Sequence, residues 1–303
     1  MLPISGARRR PLESLNRVHL NARSYKRKYR KKGLRVFIDG FSREDIAIRD
    51  NHTCYMCGAH LESFEIDHVI PISRVGFHTL DNVSVSCQRC NSNKKARMPW
   101  ELDSTLQNII FNRLVELKHQ PRVASLVIAG PMFSKKSTRL LEMATLYNWL
   151  GYKVACFKPS IDDRYALNSI TTHDGLSIVA MPVTNTQEIL DNTESTDVIF
   201  IDEVQFFDKD IIKVVNELRS AGKFVVSAGL NSDFMGSPFE ITGGLAMLSD
   251  KIIVAKSQCA RCKESAMWTQ MVVGGMEVVS GQRVHVGGPE TYEPRCSDCF
   301  VRS

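Results

Sequence analysis

The chain has 303 residues, 43% hydrophobic and 24% charged, an ordinary balance for a globular protein and enough length for two domains, each with its own core. No stretch approaches 18 consecutive apolar residues, and the basic first residues lack an apolar segment, so neither a membrane span nor a secretory leader is expected. The net charge of +6 conceals an asymmetry: residues 1–122 hold 22 Lys and Arg against 12 Asp and Glu, and residues 123–303 hold 17 against 21, which assigns nucleic acid to the first half alone.

In chain order, residues 1–35 form a basic arm with 12 Lys and Arg and a single acid, Glu13. Arg8-Arg9-Arg10 and the run from Lys26 to Lys32 suit phosphate contacts, which give salt-dependent affinity without reading bases. The same composition also fits a solvated tail. Residues 36–98 are loop-rich and carry Cys54-x-x-Cys57 and Cys87-x-x-Cys90, separated by 29 residues. Eight of the nine cysteines fall into four such pairs, the spacing of metal knuckles rather than of a disulfide scaffold in a chain of this length. Cys156, inside Val154-Ala155-Cys156-Phe157, reads as a small buried hydrophobe. Between the first two knuckles stand Asp67-His68, Pro71 and Asn82, and Asn91 and Lys94 follow. Residues 99–122 read as a linker: Leu106, Ile109, Ile110, Leu114 and Leu117 have helical spacing over 100–119, and Pro121 marks the boundary.

From residue 123 onward, apolar strands are expected at 125–129, 153–157, 177–180, 197–201, 223–228 and 251–255, short runs of the kind found where helices cover both faces of a parallel sheet. A helix is expected at 137–150, with Leu140, Leu141, Ala144 and Tyr147 on one face and Gly151 closing it. The first strand runs into Gly130-Pro131-Met132-Phe133-Ser134-Lys135-Lys136-Ser137, a strand–loop–helix cradle for phosphates. Lys136 would reach the β- and γ-phosphates and Ser137 would bind Mg²⁺. The loop departs from the usual pattern at Lys135, where glycine normally precedes the lysine; a side chain there crowds the nucleotide, alters the loop's dihedrals, or is tolerated. Asp202-Glu203 follows a strand, the place of an acid that supports Mg²⁺ beside a carboxylate able to take a proton. Cys259-x-x-Cys262 and Cys296-x-x-Cys299, 33 residues apart, make a second four-cysteine set.

Two resemblances arise from these frames. The pattern C-x-x-C-G…I-D-H-x-x-P…D-N…C-x-x-C-N-x-x-K over residues 43–100 resembles the HNH endonucleases, whose ββα site encloses one catalytic divalent metal. The resemblance implies His68 as general base, Asp67 and Asn91 as ligands of that Mg²⁺ or Mn²⁺, Asn82 as the residue fixing the loop, and double-stranded DNA as substrate. The P-loop, Asp202-Glu203, Gly229-Leu230-Asn231-Ser232-Asp233-Phe234, Gly236-Ser237-Pro238-Phe239, Val286-Gly287-Gly288, Tyr292 and the second quartet together resemble, over about 124–301, the zinc-containing thymidine kinases of bacteria, large DNA viruses and animal cytosol. That resemblance implies an α/β P-loop NTPase domain with a zinc-ribbon-like lasso, here preceded by a small ββα-metal zinc-knuckle domain. It implies Glu203 as the base on the deoxyribose 5′-hydroxyl and Gln205 near the ATP and Mg²⁺. Met132, Phe206, Phe234, Phe239 and Tyr292 would shape the thymine pocket, with Arg283, Val284, His285, Val286 and Gly287 as the lasso. Asp162, Asp163 and Arg164 would stand near the phosphates. Two structural zinc ions, Mg²⁺ with ATP, a homotetramer and a cytoplasmic setting in bacterial or phage-infected cells are also implied. The expected chain is therefore a bifunctional enzyme of 1–35 arm, 36–98 nuclease, 99–122 linker and 123–303 kinase. One alternative keeps only the nuclease, with the kinase an inert scaffold because of Lys135; another is a DNA-binding module that does not cut.

Overall fold

Ser42 opens the first helix of the computed structural model: its hydroxyl accepts from the Asp45 N–H at 3.1 Å while the Asp45 carboxylate accepts the Ser42 N–H at 2.8 Å, a reciprocal cap that fixes where α1 (Arg43–Arg49) begins. The structure describes residues 41–74, 78–117, 124–161, 169–171, 177–283 and 287–302, so the basic arm expected at 1–35 lies outside the described residues. The chain divides into two compact units, Met1–Gln120 and Pro121–Ser303.

In the first unit, β1 (Glu65–His68) and β2 (Val83–Ser86) pair antiparallel, and α2 (Gln88–Lys94) follows. Alternation along β1 decides everything nearby. Ile66 packs on a cluster of Phe41, Ile46, Val83 and Val85, so Glu65 and Asp67 face the other way, toward α2. The helix read as a linker is α3 (Ser104–Glu116), capped by Asp103, which accepts the Leu106 N–H at 3.0 Å. It is fastened into this unit, with Ile110 and Leu114 buried and Arg113 donating to the Ser84 hydroxyl at 2.8 Å and to Asp50.

The second unit runs β3 (Ser125–Gly130), α4 (Lys136–Trp149), β4 (Val154–Pro159), the small pair β5 (Ser169–Thr171) and β6 (Ser177–Val179), then β7 (Met181–Val183), α5 (Gln187–Asp191), β8 (Val198–Ile201), α6 (Asp210–Ser220), β9 (Phe224–Leu230), α7 (Glu240–Leu248) and β10 (Lys251–Val254). Six strands form one parallel sheet in the order β10-β3-β9-β8-β4-β7. The core of this layer includes Val127, Phe157, Ile199, Ile201 and Val225 from the strands and Ile211, Val214 and Leu218 from α6. Leu140, Leu141, Ala144 and Tyr147 of α4 are all buried, as their spacing predicts.

One expected strand changes place. The run at 177–180 does not join the parallel sheet; it pairs antiparallel with β5, and β7 forms the sheet's edge instead. Pro182 fits that edge because it has no N–H to give to a further neighbour. Short apolar runs reveal that a strand exists but not which sheet it enters. Beyond β10 come β11 (Ser257–Gln258) paired with β12 (Ser265–Ala266), and a three-stranded sheet in which β13 (Trp268–Val273) lies between β14 (Met276–Val278) and β15 (Tyr292–Arg295).

Candidate functional site

The first site is assembled by β1 and α2. Asp67 is buried, accepts the Tyr55 hydroxyl at 2.8 Å and pairs with the Lys94 ammonium at 3.1 Å. Lys94 is itself enclosed and also donates to the His68 carbonyl at 2.9 Å. Burial pushes the Asp67 carboxyl up and the Lys94 ammonium down, each opposed by the other's charge. Asn91 and Lys94 are three apart on α2, hence on one face, and Asn91 donates its amide to Glu65 while Lys94 meets Asp67. Two rungs therefore join strand to helix. His68 leaves β1 on the opposite side and meets His78, Nε2 to Nδ1, at 2.8 Å. Asn82 is buried, accepting the Ile70 N–H at 2.8 Å and donating to the Ile70 carbonyl at 2.9 Å, so it clamps the loop after β1.

Each cysteine quartet has its four sulfurs within 4.8 Å of one another. A tetrahedral ion with bonds of about 2.3 Å needs sulfurs about 3.8 Å apart, and Cys57–Cys87 at 4.0 Å and Cys262–Cys296 at 3.5 Å bracket that value. Burial works against the Cys54 and Cys259 thiolates, yet backbone N–H groups of their knuckles bring them down to about 7 and about 6. Both sets thus fit a zinc ion.

The second unit's site lies at the carboxyl end of the parallel sheet. The loop from Pro131 to Lys135 joins β3 to α4, and Lys136 and Ser137 open that helix. Gly130 is required there: a Cβ would stand 2.4 Å from the Ala255 carbonyl. Within the loop, the Ser134 hydroxyl and the Lys136 ammonium donate to the Pro131 carbonyl at 2.7 and 2.8 Å. Lys135 has φ 60° and ψ 34°, left-handed backbone, and Phe133 has φ 63°. The loop therefore keeps the conformation a glycine would supply, and Lys135 bears the strain, about 1–2 kcal/mol.

Asp202 follows β8 and is buried, with Ser137 among the groups that favour its charged form. Burial, then the neighbouring Glu203 charge, push its carboxyl up to about 7 against the pull of Ser137 and Lys136. Glu203 has φ 50°, the third strained residue beside this site. Gln205 is buried; its carbonyl accepts the Leu230 N–H at 3.0 Å and its amide donates to Glu203, so it ties the turn after β8 to β9 and steadies the carboxylate. Phe234, Phe239 and Tyr292 are buried, and Met132 and Phe206 half-buried. Arg283 is held by Asp233 at 3.0 Å, with its guanidinium 4.9 Å over the Phe239 ring. A Cβ on Gly287 would stand 3.2 Å from the Tyr292 ring. Met132 N–H donates to Thr269 of β13 at 3.0 Å and Ser257 donates to the Phe133 carbonyl at 3.1 Å, so the cysteine-bearing ribbon is tied to the phosphate loop. Asp162, Asp163, Arg164, Val284, His285 and Val286 lie outside the described residues.

A family model described as thymidine kinase matches residues 124–300, more than half of the chain. The chain belongs to the thymidine kinase family. A second model, HNH endonuclease, matches residues 54–97, so an HNH endonuclease domain precedes the thymidine kinase domain. Among solved structures, the flagellar accessory protein FlaH from Methanocaldococcus jannaschii overlaps 51% of this chain and 74% of its own at 12% identity, with a TM-score of 0.32. Domain III of the Thermotoga maritima replication initiation protein DnaA overlaps 49% of this chain and 61% of its own at 17% identity, with a TM-score of 0.30. The thymidine kinase domain's place in its family rests on the first match alone.

Residue patterns passed over several groups that shape the HNH endonuclease domain: Tyr55, Glu65 and His78, and Lys94, which stands in the cysteine frame without an assigned task. Lys94 was within reach, because Asn91 and Lys94 share a helical face. His78 was not, since no spacing ties it to His68. In the thymidine kinase domain the groups passed over are Thr269 and the carboxylate of Asp233, both fixed by contacts distant in sequence. For a divalent ion in the HNH endonuclease domain, Glu65, Asp67 and the carbonyl of Asn91 are hard oxygen donors on facing surfaces, the chemistry of Mg²⁺ or Mn²⁺ sites.

Proposed function

We propose that both domains are catalytic in this chain, the first cleaving DNA and the second phosphorylating thymidine with ATP. The observation that carries the kinase reading is the buried Asp202 carboxylate after β8, whose charged form Ser137 and Lys136 at the head of α4 favour, with the Lys136 ammonium turned into the phosphate loop at 2.8 Å from the Pro131 carbonyl. Ser137 and Asp202 are the residues that would hold Mg²⁺, whose chemistry is to neutralise charge on the phosphates. Lys136 gives up the Pro131 carbonyl for a phosphate oxygen. Glu203 accepts the proton of the 5′-hydroxyl, steadied by Gln205. Met132, Phe206, Phe234, Phe239 and Tyr292 enclose the base, with Arg283 and Gly287 at the two ends of the segment that the family resemblance makes the lasso. Purified protein incubated with labelled thymidine, ATP and Mg²⁺ yields dTMP, and Lys136→Ala lowers kcat about 100- to 1000-fold. Product from Lys135→Gly but none from wild type would instead make the present kinase domain an inert scaffold.

For the nuclease, the carrying observation is that Asp67 and His68 leave β1 on opposite sides. In an in-line displacement the leaving and attacking oxygens stand on opposite sides of phosphorus. Asp67 and Asn91, with Glu65 close by, would hold a divalent ion, whose chemistry is to neutralise the leaving oxygen; His68 takes the proton of the attacking water. Supercoiled plasmid with Mn²⁺ is nicked by wild type and spared by His68→Ala, and equal nicking by the two removes His68 from this role. A homotetramer is the assembly the kinase family implies, and sedimentation of the full chain reads it directly.

A further inference from the structure

We propose that Asp233 is a positioning residue for nucleoside recognition: its carboxylate divides its two oxygens between the turn that carries Phe234 and Phe239 and the Arg283 guanidinium that lies over the Phe239 ring. The proposal rests on the reading of those two rings as walls of the thymine pocket. Oδ1 accepts the Met235 N–H at 3.1 Å and the Ser237 N–H at 2.9 Å. Backbone closes the turn further, the Asp233 N–H donating to the Ser237 carbonyl at 2.9 Å and the Phe239 N–H to the Asn231 carbonyl at 3.2 Å. Oδ2 accepts the Arg283 Nε proton at 3.0 Å, across 50 residues of chain. The Asp233 side chain is 1% exposed and that of Arg283 42%, so the carboxylate is the fixed member and the guanidinium the one it orders.

The consequence falls on the aromatic walls. A guanidinium is planar, with its donors in a fixed fork. Here Nε is bound by Asp233 and a terminal nitrogen by the Pro238 carbonyl, so two bonds set the orientation of the plane. Its central carbon stands 4.9 Å from the centre of the Phe239 ring, a cation–π contact on a buried ring. The stretch leading to Arg283 passes Phe234 as well: a Cβ on Gly281 would stand 3.8 Å from the tip of that ring. Both rings therefore meet the segment that Asp233 holds by charge. A wall whose place is settled before the base arrives spares the cost of ordering it on binding. Releasing Arg283 weakens the nucleoside in the ground state and the transition state alike, which raises KM and leaves kcat. The phosphate loop is held by Thr269 and Ser257 instead, so ATP is unaffected.

Asp233→Asn separates the two tasks of the carboxylate. Its amide oxygen still takes the N–H groups of the turn, while its amide nitrogen meets the Arg283 N–H donor to donor. The full chain is compared as wild type, Asp233→Asn, Arg283→Met and the double variant. Thymidine and ATP are each varied in steady-state dTMP formation, and thymidine binding is measured by calorimetry without ATP. The expected result is a thymidine KM and Kd about tenfold higher in each single variant, with kcat and the KM for ATP within about twofold. The double variant binds no more weakly than either single one, because both remove the same contact. Wild-type thymidine affinity in Asp233→Asn overturns the proposal, as do single effects that multiply in the double variant. Should Asp233→Asn fail to fold, Arg283→Met decides by the same comparison from the exposed side of the pair. Wild type that binds thymidine but forms no dTMP refutes the phosphorylation reading instead, and calorimetry then decides Asp233 alone. Wild type that binds no thymidine removes the pocket and the proposal with it.

Discussion

Lys135 shows how a single residue can break a motif's letter and keep its geometry. The left-handed backbone that glycine adopts without cost is held here by a lysine, at about 1–2 kcal/mol. Lys135→Gly is therefore expected to raise stability by about 1 kcal/mol in urea unfolding, part of the relief being offset by glycine's greater freedom in the unfolded chain. It is expected to change thymidine turnover by less than about tenfold, because the loop's path is already the glycine path. His78 makes a second prediction at this scale. Its folded value of about 4 lies below the ordinary value of 6.5, so the unfolded chain binds the extra proton first. The stability due to the neutral buried ring is complete above pH 6.5 and is lost as pH falls toward 4. Over that range the urea midpoint of wild type falls more steeply than that of His78→Asn; parallel slopes would remove His78 as a source of the acid sensitivity.

At the scale of elements, the helix α3 illustrates how an amphipathic pattern gives a helix without saying what it serves. Its apolar stripe reads as a linking helix, and in the structure Ile110 and Leu114 are buried and Arg113 reaches Asp50 and Ser84. Asp50 also takes Arg49 at 2.6 Å and the Val85 N–H at 2.8 Å, so α1, β2 and α3 meet on one carboxylate. Removing one partner from such a largely enclosed cluster strands the others. Arg113→Ala is expected to cost about 2–3 kcal/mol, seen as a lower midpoint for the transition that also abolishes nicking. Arg113→Lys recovers less than half of it, because one ammonium cannot hold both the Asp50 carboxylate and the Ser84 hydroxyl as the guanidinium does.

For the whole molecule, two compact units each carry one cysteine quartet. Metal analysis is expected to return two zinc ions per chain. Because a closed four-cysteine site contributes directly to folding, its loss should act on its own unit. Cys87→Ser is expected to abolish nicking and leave thymidine phosphorylation within about twofold, and Cys262→Ser the reverse. Loss of both activities from either substitution would show that the units do not fold independently.

The residue patterns by themselves determined what is carried by spacing along the chain. The four C-x-x-C pairs, the phosphate loop running from strand to helix, Asp202-Glu203 after a strand and the alternation of strands and helices all depend on neighbours within a few residues, where backbone geometry dictates which side chains meet. Only the tertiary structure decided the rest. Run 177–180 lies outside the parallel sheet because pairing partners are chosen across the fold. Lys94 reaches Asp67 across 27 residues, Thr269 holds the phosphate loop across 137, and His78 meets His68 through a turn anchored by Asn82. Such contacts are set by packing and burial, which fix which polar groups must find partners and which are within reach. The candidate site residues were thus legible as residue types, while the groups that contact them emerged only once the chain had closed around them.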